Sequence, residues 1–160
     1  MKTVKLTIAA LILSILCGCS VPSKGVNVYF FQNAKLAPVE RELPTNENPV
    51  TIAMDQLMRG PNEQEKAIGF VTVIPSGTRA RNVAVEGDTA IIDFNDQLSN
   101  FKGGRENAER IVAQIVNTAT SVRGVKKVII ELEGSDQFTL GGSEEGYVID
   151  HPLEKDDVKI

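Results

Sequence analysis

The chain of 160 residues has no tryptophan, two tyrosines, one histidine and only two cysteines. Each shortage removes a kind of chemistry. With aromatics at 5% of the chain, a site that stacks sugars has little to work with. A basic excess is missing too: 17 lysines and arginines face 21 aspartates and glutamates, for a net charge of −4. That balance argues against a nucleic-acid partner, which would call for a basic patch. No apolar run approaches the about 20 residues of a membrane-spanning helix. The cysteines are residues 17 and 19, so the remainder of the chain has no thiol and no disulfide. A Cys-x-Cys metal pair is the rival use of the two, but no histidine or third cysteine lies near to complete it.

The start of the chain is where pattern appears. Lys2 and Lys5 form a basic segment, Thr7 to Leu16 is apolar, and small residues follow. This is the layout of an export signal. Leu16-Cys17-Gly18-Cys19 resembles a lipobox, in which the cysteine is acylated with fatty acid such as palmitate and becomes the first residue of the mature chain. A plain signal peptide or a short uncleaved anchor is the alternative. The expected organisation is a signal over 1–18, a lipidated tether over 19–25, one domain over 26–153 and a disordered tail over 154–160. Loss of Lys2 and Lys5 leaves 15 basic against 21 acidic residues in a mature chain of 142. With no polybasic segment after Cys19, lipid has to do the anchoring. The expected place is the extracytoplasmic face of a bacterial membrane, the cell membrane or, in a cell with two, the outer one.

Within the domain, Val26 to Phe31 is β-branched and aromatic, a strand. Leu36 to Leu43 reads as an edge strand, because Pro38 has no N–H for a ladder. Asn48-Pro49 predicts a cap and first helical turn, Val50, Ala53, Met54, Leu57 and Met58 share a helical face, and Gly60-Pro61 stops the helix. Residues 62–77 are irregular. Arg79 to Glu86 and Thr89 to Phe94 alternate as strands, and Gly87-Asp88 suits a type II′ turn between them. Ala108, Ile111, Val112, Ile115, Val116 and Ala119 form the longest apolar stripe. Lys126 to Glu133 is a final strand, and glycine and acid dominate from Gly134 onward. Two helices with one apolar face each can cover one face of a mainly antiparallel sheet, giving a two-layer α+β sandwich.

Several fragments, in order, resemble the GerMN domain family of sporulation and germination proteins. They are Tyr29 with Leu36-x-Pro38-Val39-x-Arg41, Leu57-x-x-Gly60-Pro61, Ile74-Pro75-x-Gly77-Thr78, Ala90-x-x-Asp93-Phe94, Gln114-Ile115-Val116-x-Thr118, and Val128-x-Ile130 with Gly134. The resemblance runs from about Val26 to about Pro152 and leaves room for one such domain. It implies a fold similar to the ring-building motifs of secretion-type assemblies and a non-enzymatic role in envelope assembly. The motif glycines and prolines have structural uses in turns and helix ends that require no ligand.

The remaining polar residues offer little chemistry. His151 follows Asp150, with Ser143 upstream, but no Gly-x-Ser-x-Gly elbow is present and the region is polar and glycine-rich. The acidic pairs Glu144-Glu145 and Asp156-Asp157 read as solvated charge, not as acids held across a cleft. Asp93-Phe94-Asn95-Asp96 lacks the glycine and terminal glutamate of a calcium loop, and no phosphate cradle or cofactor site is apparent. The expected function is therefore binding: an envelope protein partner or self-association, besides the membrane reached through lipid on Cys19. A peptidoglycan- or small-ligand-binding lipoprotein is the alternative. Strand alternation puts Val26, Val28, Phe30, Val83, Val85, Ile92, Phe94, Val128 and Ile130 toward the helices. The opposite face, with Tyr29, Phe31, Ile91, Asp93, Ile129 and Glu131, is the candidate interaction face. Phe70 to Ile74, or the segment around Phe138 and Tyr147, is the alternative cover for it. For the anchor, Cys19→Ala is expected to abolish fatty-acid labelling and Cys17→Ala to leave it intact; label persisting on Cys19→Ala but not on Cys17→Ala reverses the assignment.

Overall fold

The computed structural model describes residues 25–44, 46–142, 146–158 and 160. The expected signal and lipidation site at Cys19, and Ser143, lie outside the described residues.

The chain opens with a hairpin of β1 (Gly25–Gln32) and β2 (Lys35–Glu42). Asn33 and Ala34, both at positive φ, form its two-residue turn. Helix α1 (Pro49–Arg59) starts where Asn48 Oδ1 accepts from Val50 N at 2.9 Å, and stops at Gly60, whose φ of 75° disfavours any other residue. A short α2 (Glu63–Ala67) and β3 (Phe70–Val71) follow. Then come β4 (Ala80–Glu86), β5 (Thr89–Phe94), a 3-10 turn over Asp96–Ser99, and the long α3 (Gly104–Thr120). Gly87 is left-handed while Asp88 is not, as a type II′ turn requires. The chain ends with β6 (Lys127–Leu132), β7 (Phe138–Leu140), β8 (Tyr147–Ile149) and β9 (Leu153–Glu154).

The fold is α+β, as expected, but its strands are shared among three sheets. These run β2-β1-β3, β4-β5-β6-β9 and β7-β8. Helices α1 and α3 pack on each other and on β1; α1 also touches β4 and α3 touches β6. One continuous core results, with Phe30, Met54, Leu57, Ile92, Ile111, Ile115, Val128 and Ile130 essentially inaccessible.

The reason β1 does not join the larger sheet lies on α3. Beyond the two residues that pair with β3, helix side chains hydrogen-bond the edge of β1 opposite β2. Thr118 Oγ1 accepts from Tyr29 N at 3.0 Å, Gln114 Nε2 donates to Tyr29 O at 2.9 Å, and Ser121 Oγ donates to Asn27 O at 2.7 Å. Gln114 is fully buried, and its Oε1 also accepts from Val73 N at 2.9 Å. Residues 114, 118 and 121 recur at helical spacing, so one row of α3 stands in for a neighbouring strand.

A second polar tie holds the segment expected to be irregular. Asn62 and Glu65 form a reciprocal capping box at the start of α2. Arg41 on β2 grips Glu65 with two hydrogen bonds of 2.7 Å. Both side chains are largely buried, at 16% and 11% exposure. The expected tail also proves structured. Glu154 belongs to β9, which pairs with β6, Lys155–Asp157 makes a 3-10 turn, and Val158 is buried in the core. Two apolar residues, Val158 and Ile160, among five charged ones give no periodic signal in sequence.

Two outcomes follow from these ties. Gln114→Leu, though similar in volume and more apolar, leaves Tyr29 O and Val73 N unpaired, each worth about 1–3 kcal/mol. Urea denaturation is expected to register a loss in that range or above, and a variant as stable as the parent would show that the row does not hold β1. The Arg41 hydrogen bonds, with the Asn62 N–H and the Arg41 charge, hold the Glu65 carboxyl below its ordinary 4.5 against the opposing effect of burial. A depressed carboxylate contributes stability that is present above the unfolded value and lost as pH falls through the folded one. Melting temperature should therefore drop below about pH 4.5 less steeply in Glu65→Gln than in the parent, starting from a lower value at neutral pH.

Candidate interaction face

One face of the four-stranded sheet is turned to the helices and the other is not. Ala90, Ile92, Phe94, Val128 and Ile130 point inward and are buried. On the other side, register aligns Ala84 with Ile91 and Ile91 with Ile129. Pro152, beside β9, lines the same shallow depression as Ile129. An apolar row thus crosses the sheet, with Ile91 and Ile129 half-buried. On one side of the row lie Glu86, Thr89, Lys127 and Glu154, with Lys127 Nζ 3.5 Å from Glu154 Oε1. On the other lie Asn82, Asp93 and Glu131.

The acidic side is organised by arginine. A β-bulge between Ala80 and Asn82 re-aims Arg81, whose Nε lies 3.7 Å from Asp93 Oδ2 and whose guanidinium also pairs with Glu133. Asp93 is 8% exposed, and its Oδ1 accepts from Gly134 N at 2.9 Å. Glu133 Oε1 in turn accepts from Asp96 N at 3.1 Å. Glu133 and Gly134 are both left-handed, so Asp93 fixes a turn that the backbone alone would resist.

The six residues expected to form one face are divided. Ile91, Asp93, Ile129 and Glu131 stand together, Ile91 beside Ile129 and Asp93 beside Glu131. Tyr29 and Phe31 belong to the other sheet. Phe31 is 2% exposed, with the Arg110 guanidinium 5.5 Å from its ring centre, and Lys155 lies 5.6 Å from that of Tyr29. Alternation assigned the correct side of β1 but gave no information on what covers it. Val85, expected to face the helices, is 41% exposed near the hairpin end. Neither candidate cover lies over the apolar row. Phe70–Val71 pairs with β1, and the β7–β8 ribbon packs on α3, where Arg105 stacks on Tyr147. Sequence reasoning missed Arg81 and Glu133. A bulge redirects the first, and the second follows the strand in a turn, so alternation marks neither.

The face offers little to a small ligand. The depression between Ile129, Asp136, Asp150, His151 and Pro152 holds about 60 Å³, well under the roughly 300 Å³ of ordinary ligand pockets. His151 is 59% exposed, and its Nδ1 lies 2.6 Å from Asp150 Oδ1. Among the described residues no group of three or more His, Cys, Asp or Glu is placed to hold a metal ion, and no helix is long and apolar enough to cross a membrane.

The family model Germane, described as sporulation and spore germination, matches residues 27–138. The chain belongs to this family. It is a GerMN-domain protein similar to the spore germination protein GerM of Bacillus subtilis (strain 168), with 30% identity over 105 residues. That alignment covers 63% of this chain and 28% of GerM, so the chain spans less than a third of that relative. Solved structures agree in fold. The tandem GerMN domains of B. subtilis GerM superpose with a TM-score of 0.65 at 20% identity, over 82% of this chain and 45% of that one. The first GerMN domain gives 0.62 at 24%, over 83% and 98%. A protein named as a candidate lipoprotein from Clostridium perfringens gives 0.59 at 19%, over 84% and 89%. Within this Germane domain the motif residues have structural tasks. Arg41 grips α2, Gly60 ends α1, Thr78 Oγ1 donates to Pro75 O at 2.8 Å, Asp93 secures the turn after β6, and Gln114 and Thr118 close the edge of β1.

Proposed function

We propose that this protein is a lipid-anchored, extracytoplasmic lipoprotein whose Germane domain is a non-enzymatic protein-interaction module of the bacterial envelope, serving sporulation or germination. The apolar row of Ala84, Ile91 and Ile129 on an otherwise charged, uncovered sheet face carries this reading. Protein interfaces combine an apolar centre with a polar rim, and the row has acids and one lysine on its flanks. Self-association or a second envelope protein fits equally well by chemistry; the surface favours a partner with apolar side chains ringed by basic ones.

The anchor is supported by the lipobox-like Leu16 to Cys19 and by the candidate-lipoprotein name of one structural neighbour. Membership in a sporulation and germination family supports the cellular setting. The binding reading is favoured over a hydrolase because the lone histidine is a surface residue paired with its own neighbour.

The test is Ile129→Lys, made in the full chain. Its side chain is half-buried on the outer face, so the variant is expected to melt within a few degrees of the parent and to stay in the membrane fraction. Crosslinking in cells followed by detergent extraction is expected to recover the parent with a protein partner or a second copy, and the variant without it. Parallel incubation with purified cell wall separates the ligand-binding alternative. A folded variant that retains its crosslinked partner refutes the assigned face, and wall binding by the parent that the variant loses assigns the face to peptidoglycan.

A further inference from the structure

We infer that the end of the domain formed by the start of α1, the β4–β5 hairpin and the 121–126 loop is the surface apposed to the lipid bilayer. This rests on the anchoring reading above and adds an orientation to it. Three observations fix where that end is. Gly25, the first residue of β1, pairs with Glu42 at the end of β2. Two residues on, Asn27 O accepts from Ser121 at the C-terminal end of α3. The loop after Ser121 then borders one shallow cleft with Asn48 and Pro49 of α1 and with Val85 and Gly87 of the hairpin. The Lys126 and Lys127 N–H groups both donate to Asp88 O, at 2.8 and 3.1 Å, tying loop and hairpin together.

The decisive magnitude is the tether. Six residue steps separate Cys19 from Gly25, and a fully extended chain covers at most about 22 Å over that distance. Helix α3, with 17 residues, is about 25 Å long and runs from this end to the opposite one. If the opposite end touched the bilayer, Gly25 would stand farther away than the tether can reach. Lipid on Cys19 therefore excludes the opposite end and favours apposition of the Gly25 end.

Charge plays no part in the apposition. Arg123, Lys126 and Lys127 stand there, but Glu42, Glu47, Glu86 and Asp88 outnumber them, and Lys126 Nζ is already 3.6 Å from Asp88 Oδ2. An end with a net negative charge is not drawn to anionic lipid, so the orientation is set by the covalent tether and is independent of headgroup charge. Strands β5 and β6 leave this end at Thr89 and Lys127 and run parallel away from it. The apolar row of Ile91 and Ile129 then faces sideways, toward proteins standing on the same membrane.

With Cys17 removed and Cys19 blocked by lipid under the anchoring reading, an introduced cysteine is the one free thiol, which makes the experiment direct. Arg123→Cys and Lys102→Cys, both at exposed loop positions at opposite ends of α3, are each made in the full chain, processed in cells and labelled with one donor fluorophore. Mass spectrometry of the Cys19 peptide reports lipidation. The proteins are reconstituted in phosphatidylcholine vesicles containing a headgroup-labelled acceptor lipid, and again with phosphatidylglycerol added. At least twofold stronger quenching at 123 than at 102, equal in both vesicle types, is the expected result. Equal or reversed quenching on a lipidated protein overturns the orientation and leaves the anchor standing. A preference seen only with anionic lipid overturns the tether as its cause. An unlipidated Cys19 overturns the anchoring reading and this one with it.

Discussion

The fold depends on a row of polar side chains along α3. Gln114 and Thr118 lie on a helix whose other buried positions are mostly apolar, Ser121 caps its end, and each makes a hydrogen bond to the backbone of β1. A strand edge with unpaired amide groups is costly to bury and dangerous to expose. Here it is neither, because the helix supplies the donors and acceptors that a strand would have supplied. That one substitution of helix for strand explains the split of the strands into separate sheets. It also explains why the core is continuous across them: α3 and α1 are wedged between β1 and the larger sheet, and their apolar faces serve both.

What could be read from the residues, and what could not, follows from the kind of signal each element carries. Helix α3 was legible because six apolar residues recur at its period over several turns. The hairpin was legible from two alternating runs around Gly87-Asp88, and β2 was legible as an edge because Pro38 cannot donate. Helix α2 was not, since Glu-Gln-Glu-Lys-Ala has no apolar stripe; only the capping pair Asn62 and Glu65 marks it, together with the distant Arg41. Strands β7 and β8, at three residues each, are too short to show alternation. Which strand edges meet is also invisible to periodicity. A single sheet and two sheets bridged by a helix have the same pattern of inward and outward residues.

The candidate face was legible in the same partial way. Period-two alternation placed Ile91, Asp93, Ile129 and Glu131 on one side, and the parallel register of β5 and β6 brings them together. It grouped Tyr29 and Phe31 with them because it says nothing about sheet membership. Asp93 looked like an exposed acid of a partner site and proves to be a turn-holding group, partly withdrawn from solvent. The family-motif residues in this chain are thus accounted for by architecture, and the apolar row from Ala84 to Ile129 contains none of the quoted motif positions except as their neighbours. A fold shared with GerM therefore constrains how this domain is built far more tightly than it constrains what the domain touches.

The cover on β1 also imposes an order on folding. The bonds that close the strand edge join residues 85 to 94 positions apart in the chain. The β1–β2 hairpin can form as soon as its own residues are available, but its second edge stays open until α3 has emerged and docked. Contacts so distant in sequence are slow to form because a long loop must be closed first. A chain synthesised from the N-terminus onward therefore passes through a stage in which an apolar strand bearing Val26, Val28, Phe30 and Phe31 presents a bare edge. During that interval the chain's vulnerability to pairing with a neighbour's strand is greatest. The arrival of about two turns of a single helix ends it.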